Sequence, residues 1–168
     1  MPEGKLQRDG ESVTLRYERT AVASVAATWS ALVEPSILKE WLAEAEIDPR
    51  VGGAVHLVWP GRGEMRGTVQ AIDAPSVIEY TWDESDGSSL VRFEVAASGD
   101  AASSLRLIHS GTSLEGAPGF GAGWQSHLEA LDVVLAGGES TTEQRNERYE
   151  ELHPGYLEAV AQLEESLA

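Results

Sequence analysis

The sequence predicts an α+β fold in which a long helix near the C-terminal end lies across a curved antiparallel sheet. Three observations carry this. Between residues 54 and 109, short alternating apolar runs recur, separated by turns of a few residues, the pattern of an antiparallel meander. Two short helical patterns precede these runs, and one long pattern follows over residues 120–138. In that segment Trp124, Leu128, Leu131 and Leu135 fall four, three and four apart, on one helical stripe. Helices on one face of an antiparallel sheet bury both stripe and face economically.

Taken in order, residues 1–11 are polar and lack a period, so a flexible leader is expected. Val13, Leu15 and Tyr17 then alternate with Thr14, Arg16 and Glu18, as in a half-buried strand. Ser24 is placed to cap a helix over residues 25–32, with Val25, Trp29 and Leu32 on one face. Pro35 opens a second short helix containing Ile37, Leu38, Trp41 and Leu42. Strands are predicted at 45–48, 55–59, 65–72, 77–82, 91–95 and 105–109. Gly52-Gly53, Pro60-Gly61-Arg62-Gly63, Asp73-Ala74-Pro75, a polar turn at 83–88 and small residues at 98–102 divide them. Gly137-Gly138 supply the stop of the long helix.

Residues 12–138 therefore form the domain, and residues 139–168 a helical C-terminal extension. In the extension, Ser140-x-x-Glu143 reads as a capping box and His153-Pro154-Gly155 as a break. Leu157, Val160, Leu163 and Leu167 then mark an amphipathic helix that packs on its own domain or on a partner.

A chain of 168 residues suits one domain with a real core. With 28 acidic against 12 basic residues, its surface repels phosphate backbones, which argues against a nucleic-acid partner. The absence of cysteine excludes disulfides, thiolate metal sites and a cysteine nucleophile. No apolar run reaches membrane-spanning length and no signal-like N-terminus is present, so the expectation is a cytoplasmic protein without membrane insertion, monomeric or homodimeric.

By alternation, Val55, Leu57, Trp59, Ile78, Tyr80, Trp82, Val91, Phe93, Leu105, Leu107 and His109 share one face of the sheet, opposite Trp124, His127, Leu128 and Leu131 of the long helix. An apolar wall with few polar handles suits a small-molecule pocket, and equally a solid core. The candidate ligand-binding residues are Trp41, Trp59, Tyr80, Trp82, Phe93, His109, Phe120, Trp124 and His127. His109 and His127 face inward, where each is a core histidine, an orienting group or a general acid–base. His56 should face outward and His153 belongs to a turn. No H-x-x-x-H or comparable spacing supports a metal site, no cofactor motif is present, and no G-x-S-x-G elbow supports serine hydrolase chemistry. The run GAPGFGAG at 116–123 lacks the lysine of a phosphate loop, and Trp124 stands where the third glycine of G-x-G-x-x-G would fall. Gly116, Gly119, Gly121 and Gly123 are instead expected to form a flexible entry loop beside a cavity mouth.

Eight pieces in order give the chain a family likeness over about residues 12–138. They are the strand over residues 15–19, Val25-x-x-x-Trp29-x-x-Leu32, Ile37-Leu38-x-x-Trp41, Asp48-Pro49-Arg50-Val51-Gly52-Gly53, Gly67-x-Val69, Pro75-x-x-Ile78-x-Tyr80-x-Trp82, Leu105-x-Leu107-x-His109-x-Gly111 and Gly123-Trp124-x-x-x-Leu128-x-x-Leu131. The pattern resembles the activator-of-heat-shock-protein-ATPase-homologue-like branch of the START (SRPBCC) superfamily, which includes the birch pollen allergens. The resemblance implies a helix-grip fold, with the sheet wrapped around the long C-terminal helix and a cavity for an apolar molecule between them. It further implies sequestration of a hydrophobic, aromatic or polyketide-like ligand. Some relatives are cyclases or aromatases, for which His109, His127 or Tyr80 would serve as acid or base. A sub-branch in antibiotic producers comprises self-sacrifice resistance proteins, which lose a glycine hydrogen to an enediyne diradical and are cleaved; here Gly116, Gly119, Gly121 or Gly123 would be the sacrificed position. A chaperone-activating role ranks last, because the eukaryotic activators carry an additional N-terminal domain for which this length is expected to leave no room.

Overall fold

Antiparallel pairing runs without interruption from one edge of the sheet to the other in the computed structural model, which describes residues 2–82 and 89–166. An N-terminal hairpin, β1 (Lys5–Asp9) and β2 (Ser12–Ala21), leads into α1 (Val25–Val33) and α2 (Pro35–Trp41). The meander β3 (Glu44–Ile47), β4 (Ala54–Trp59), β5 (Gly63–Asp73), β6 (Val77–Trp82), β7 (Ser89–Ala97) and β8 (Ser103–Ser113) follows. Two helices, α3 (Ala117–Leu135) and α4 (Thr142–Glu165), end the fold. The strand order is β1-β2-β8-β7-β6-β5-β4-β3, and the curved sheet carries the helices, as a helix-grip fold requires. The polar turn expected at 83–88, and Leu167, lie outside the described residues.

Because β2 returns to pair with β8, the middle of the sheet is long-range. Leu15 and Val91 flank His109 on either side, and Tyr17 and Phe93 flank Leu107. All six side chains are buried. Across them lies α3, whose Trp124, Leu128 and Leu131 are buried on the expected stripe. Each such leucine contributes about 1.5–3 kcal/mol of burial. The helix ends as the paired glycines require: Gly137 takes a φ of +88°, and the Gly138 N–H donates to the Val133 carbonyl at 2.8 Å.

Several local expectations are corrected. Residues 5–9 are not a leader but an edge strand, paired from Lys5↔Arg16 to Asp9↔Ser12. Their side chains show no buried stripe because the strand is held by backbone bonds and by residues just before it. The Glu3 N–H donates to Gln125 Oε1 at 3.1 Å, and the Gly4 N–H to the Tyr156 hydroxyl at 3.0 Å. The glycine-rich run is not a loop. Helix α3 begins at Ala117 with Pro118 in its first turn, so Gly119, Gly121 and Gly123 are helical. Proline there loses no helical bond, and the packing of Phe120 and Trp124 outweighs the roughly 1 kcal/mol cost of each glycine.

Helix α4 does not break at Pro154. Tyr156 and Val160 are buried beyond it, which offsets the roughly 3 kcal/mol that an interior proline costs. Its buried stripe accordingly runs through Tyr156 and Val160, and Leu157 is 49% exposed. The cap falls one residue later than the Ser140 reading: Thr141 and Gln144 form the reciprocal box.

Gly121 permits this close approach of the last two helices. A Cβ there would lie 2.3 Å from Tyr156 Cδ1, whereas one at Gly123 meets nothing within 4 Å. Gly121→Ala is therefore expected to destabilise the fold by about 1–3 kcal/mol, and Gly123→Ala to stabilise it by up to about 1 kcal/mol through helix propensity. Urea denaturation of the two variants checks this; equal midpoints would contradict the packing described.

Candidate functional site

The first turns of α3 place pairs of residues four apart on separate faces. Phe120 and Trp124 face β8. Their rings join His109, Trp82 and Phe93 in an edge-to-face cluster. Centroids lie 4.8 Å apart for His109 and Phe120, 5.0 Å for Trp82 and Trp124, and 5.9 Å for Phe93 and Trp124. At its heart the Trp124 indole N–H donates to His109 Nδ1 at 2.9 Å. Gly121 and Gln125 face α4, where Tyr156 donates to Gln125 Oε1 at 2.7 Å and Tyr17 to the Gly121 carbonyl at 2.7 Å.

Gly119 and Gly123 lie on the third side of the helix; a Cβ at Gly119 would meet the Tyr149 hydroxyl at 3.4 Å, and at Gly123 space remains. A cleft of about 270 Å³ lies over them, walled by Trp59, Met65, Trp82, Phe120, Trp124 and His127. It continues into an outer basin of about 590 Å³ between the end of α2, β4 and the start of α4. Leu42, Trp59, Arg62, Gly123 and His127 line both.

Of the residues predicted from sequence, Trp59, Trp82, Phe120, Trp124 and His127 meet at this cleft. Tyr80, Phe93 and His109 stand behind them in the buried wall. Trp41 belongs to the core, its indole N–H donating to the Ala31 carbonyl at 2.9 Å. Among the four glycines, Gly116 precedes α3, Gly121 lies under Tyr156, and Gly119 and Gly123 open on the cleft. Sequence reading missed Leu42, Arg62 and Met65. Arg62 sits in a turn read only as punctuation, and Leu42 and Met65 were read as ordinary apolar content.

Two neutral histidines supply the polar chemistry. Burial pulls His109 down to about 3 and His127 down to about 4, against a usual value near 6.5. His109 Nδ1 accepts from an indole that can only donate, so its proton resides on Nε2. That N–H is buried and, among the described residues, without a hydrogen-bond partner. His127 is the reverse: Nδ1–H donates to the Trp41 carbonyl at 2.9 Å, leaving Nε2 as the acceptor of a side chain that lines the cleft. Burial also pushes the Tyr80 phenol well above its ordinary range. None of the three exchanges protons near neutrality. Among the described residues no three histidine or carboxylate side chains converge as a metal site, and no helix is long and apolar enough to cross a membrane.

The depressed histidines make stability depend on pH. Between their folded values and 6.5 the unfolded chain binds protons that the folded chain refuses, so stability is full above pH 6.5 and falls as pH drops. His109 alone should cost about 2 kcal/mol between pH 7 and 5, with His127 acting in the same direction. Urea denaturation at pH 7, 6 and 5 checks this, and His109→Phe should flatten the dependence; an unchanged slope in the variant would contradict it.

Comparison with known proteins places this architecture. Residues 22–136 match the model of the family described as Activator of Hsp90 ATPase homolog 1-like protein. No curated protein matches closely enough to count as a relative. Among solved structures, CalU16 from Micromonospora echinospora is 25% identical, covering 93% of this chain and 98% of its own, with a TM-score of 0.70. The Enterococcus faecalis protein EF2215, described as a conserved protein of unknown function, shares the fold at a TM-score of 0.79, 21% identity and coverage of 96% and 92%. DynU16, described as a putative protein in the dynemicin biosynthetic locus, shares it at 0.65 and 16% identity, over 78% of this chain and 49% of that one. On the family match and the shared helix-grip architecture, the chain belongs to the Activator of Hsp90 ATPase homolog 1-like family.

Proposed function

We propose that the protein binds and sequesters a flat hydrophobic small molecule, aromatic or polyketide-like, in the cleft over Gly119 and Gly123. One observation carries the reading: three tryptophans and a phenylalanine wall a space from which the helix withholds side chains at two positions four residues apart. Aromatic rings give a planar ligand extensive contact at low entropic cost. An acid–base enzyme has less support, since His109, His127 and Tyr80 all titrate far from neutrality.

Because Trp59, Trp82 and Trp124 line the cleft, ligand binding should quench tryptophan fluorescence and raise the melting temperature. At a hundredfold excess over Kd the gain is about 2.7 kcal/mol. Gly123→Leu projects a side chain into the open space. It should weaken binding about tenfold or more, about 1.4 kcal/mol, without lowering the melting temperature of the free protein. Undiminished binding by that variant would reject the cleft as the site.

A second reading is favoured by Gly123 itself. Resistance by self-sacrifice needs a glycine Cα–H presented to the bound molecule, and of the four candidates Gly123 has open space where a Cβ would stand and also lines the cleft. CalU16 and DynU16 have the same fold, and the second is described from the dynemicin locus. Mass spectrometry after exposure to an activated enediyne in air, where dioxygen traps the Cα radical left by hydrogen abstraction and carries it on to backbone cleavage, tests it. The reading expects cleavage at residue 123 and none in Gly123→Ala, and an intact wild-type chain rejects it.

A further inference from the structure

We propose that the Nε2–H of His109 is the hydrogen-bonding anchor of the cleft, screened by the Phe120 ring, and that it selects ring systems bearing an uncharged acceptor oxygen such as a ring ketone or quinone. This rests on the cleft-binding reading above. Three facts converge on it. The bond from Trp124 forces the proton onto Nε2, so a donor, not a lone pair, is left over. That donor is wholly buried and has no partner among the described residues, a condition seldom met in folded proteins without a functional reason. The imidazole that carries it also packs against the wall of the cleft. The rings around His109 are Phe120 at 4.8 Å, Trp82 at 5.7 Å and Trp124 at 6.1 Å, and all three line the cleft.

Of these three, Phe120 is the ring able to move. Trp124 is tethered by its own hydrogen bond, and Trp82 is packed between Trp59, Tyr80 and Trp124. Phe120 is only half-buried and has glycine on both sides in the first turns of α3. Rotation of its side chain toward the basin would open the path, and a planar ligand could take the place it leaves against His109. The acceptor should be neutral. Burial keeps His109 uncharged and no cation among the described residues adjoins it, so a carboxylate would arrive without a counter-charge.

Fluorene and 9-fluorenone differ by one carbonyl oxygen and separate the possibilities by tryptophan quenching. Fluorenone is the more polar, so burial of apolar surface alone favours fluorene. The proposal expects wild type to bind fluorenone about tenfold more tightly, the value of one neutral hydrogen bond made in a buried site. It expects that preference to vanish in His109→Phe and to persist in Phe120→Ala, which should take up both compounds faster. On the wild-type protein, the His109 Nε2–H proton resonance should move downfield with fluorenone and stay in place with fluorene. Equal affinities, a preference retained in His109→Phe, or an unmoved resonance overturns the anchor while leaving the cleft intact. If neither compound binds, the cleft-binding reading falls and the anchor with it.

Discussion

The hydrogen bond from the Trp124 indole to His109 decides how α3 sits, and the rest of the site follows from that rotation. Its net worth is only about 1 kcal/mol. However, it joins the first turns of the helix to the middle of the central strand, and at 3.6 residues per turn it sets the direction of every neighbour. With Trp124 and Phe120 turned toward β8, positions 119, 123 and 127 line the cleft, and positions 121 and 125 look toward α4. Each direction carries a residue type that suits it. Glycine leaves the cleft open, glycine and glutamine admit and hold Tyr156, and Leu128 and Leu131 continue into the core. A helix rotated by one residue would put glycine against His109 and an aromatic ring into the space of Tyr156.

The opposite face of α3 is held by elements at both ends of the chain. Tyr17, Gln125 and Tyr156 form a buried network whose hydroxyls lie 3.1 Å apart, and the backbone of Glu3 and Gly4 enters it. Around it, Arg19 pairs with Glu3 and Asp132, and Arg148 with Glu129 and Glu151. Arg145 is buried without a carboxylate partner among the described residues, yet its donors are used: it bonds the Glu40 and Ser140 carbonyls and the Ser140 and Thr142 hydroxyls. The Glu40 carbonyl belongs to the last turn of α2, where helices leave carbonyls unsatisfied. Arg145 thus stitches the start of α4 to the end of α2 at the edge of the outer basin, which it also lines.

What was legible in the sequence was whatever has a period. Strand alternation put His109, Leu107 and Phe93 on the inner face, and the four-three-four spacing identified the buried stripe of α3; both follow from backbone geometry alone. What failed were the places where long-range packing overrides a local rule. Four glycines in eight residues read as a loop, because nothing local reveals that Phe120 and Trp124 will anchor the turn to β8. Pro154 read as a break, because the burial of Tyr156 and Val160 against α3 cannot be seen from its neighbours. β1 was missed because an edge strand held by its backbone carries no apolar alternation. Trp41 and Trp59 are alike in composition, yet one is sealed in the core and the other lines the cleft. Whether aromatic residues fill a space or surround one depends on the missing side chains of Gly119 and Gly123, and an absence has no period.

The pairing of Trp124 with His109 is costly if stability is its only purpose. Any neutral histidine that accepts from the indole must present its other nitrogen as a donor, and here that donor finds no acceptor among the described residues. Leaving it unpaired costs about 1–3 kcal/mol, more than the one hydrogen bond returns. Leucine and phenylalanine at the two positions would fill the same space with no polar group to satisfy, as they do at Leu107 and Phe93 one layer along the sheet. Elsewhere the protein takes care of its interior polar atoms: Tyr17, Tyr156, Gln125 and Trp41 all find partners. The one buried side-chain atom left without a partner among the described residues is therefore the one beside the cleft. An acceptor that reached Nε2 from the cleft would offset that cost, which ties the Trp124–His109 pair to the site rather than to the fold.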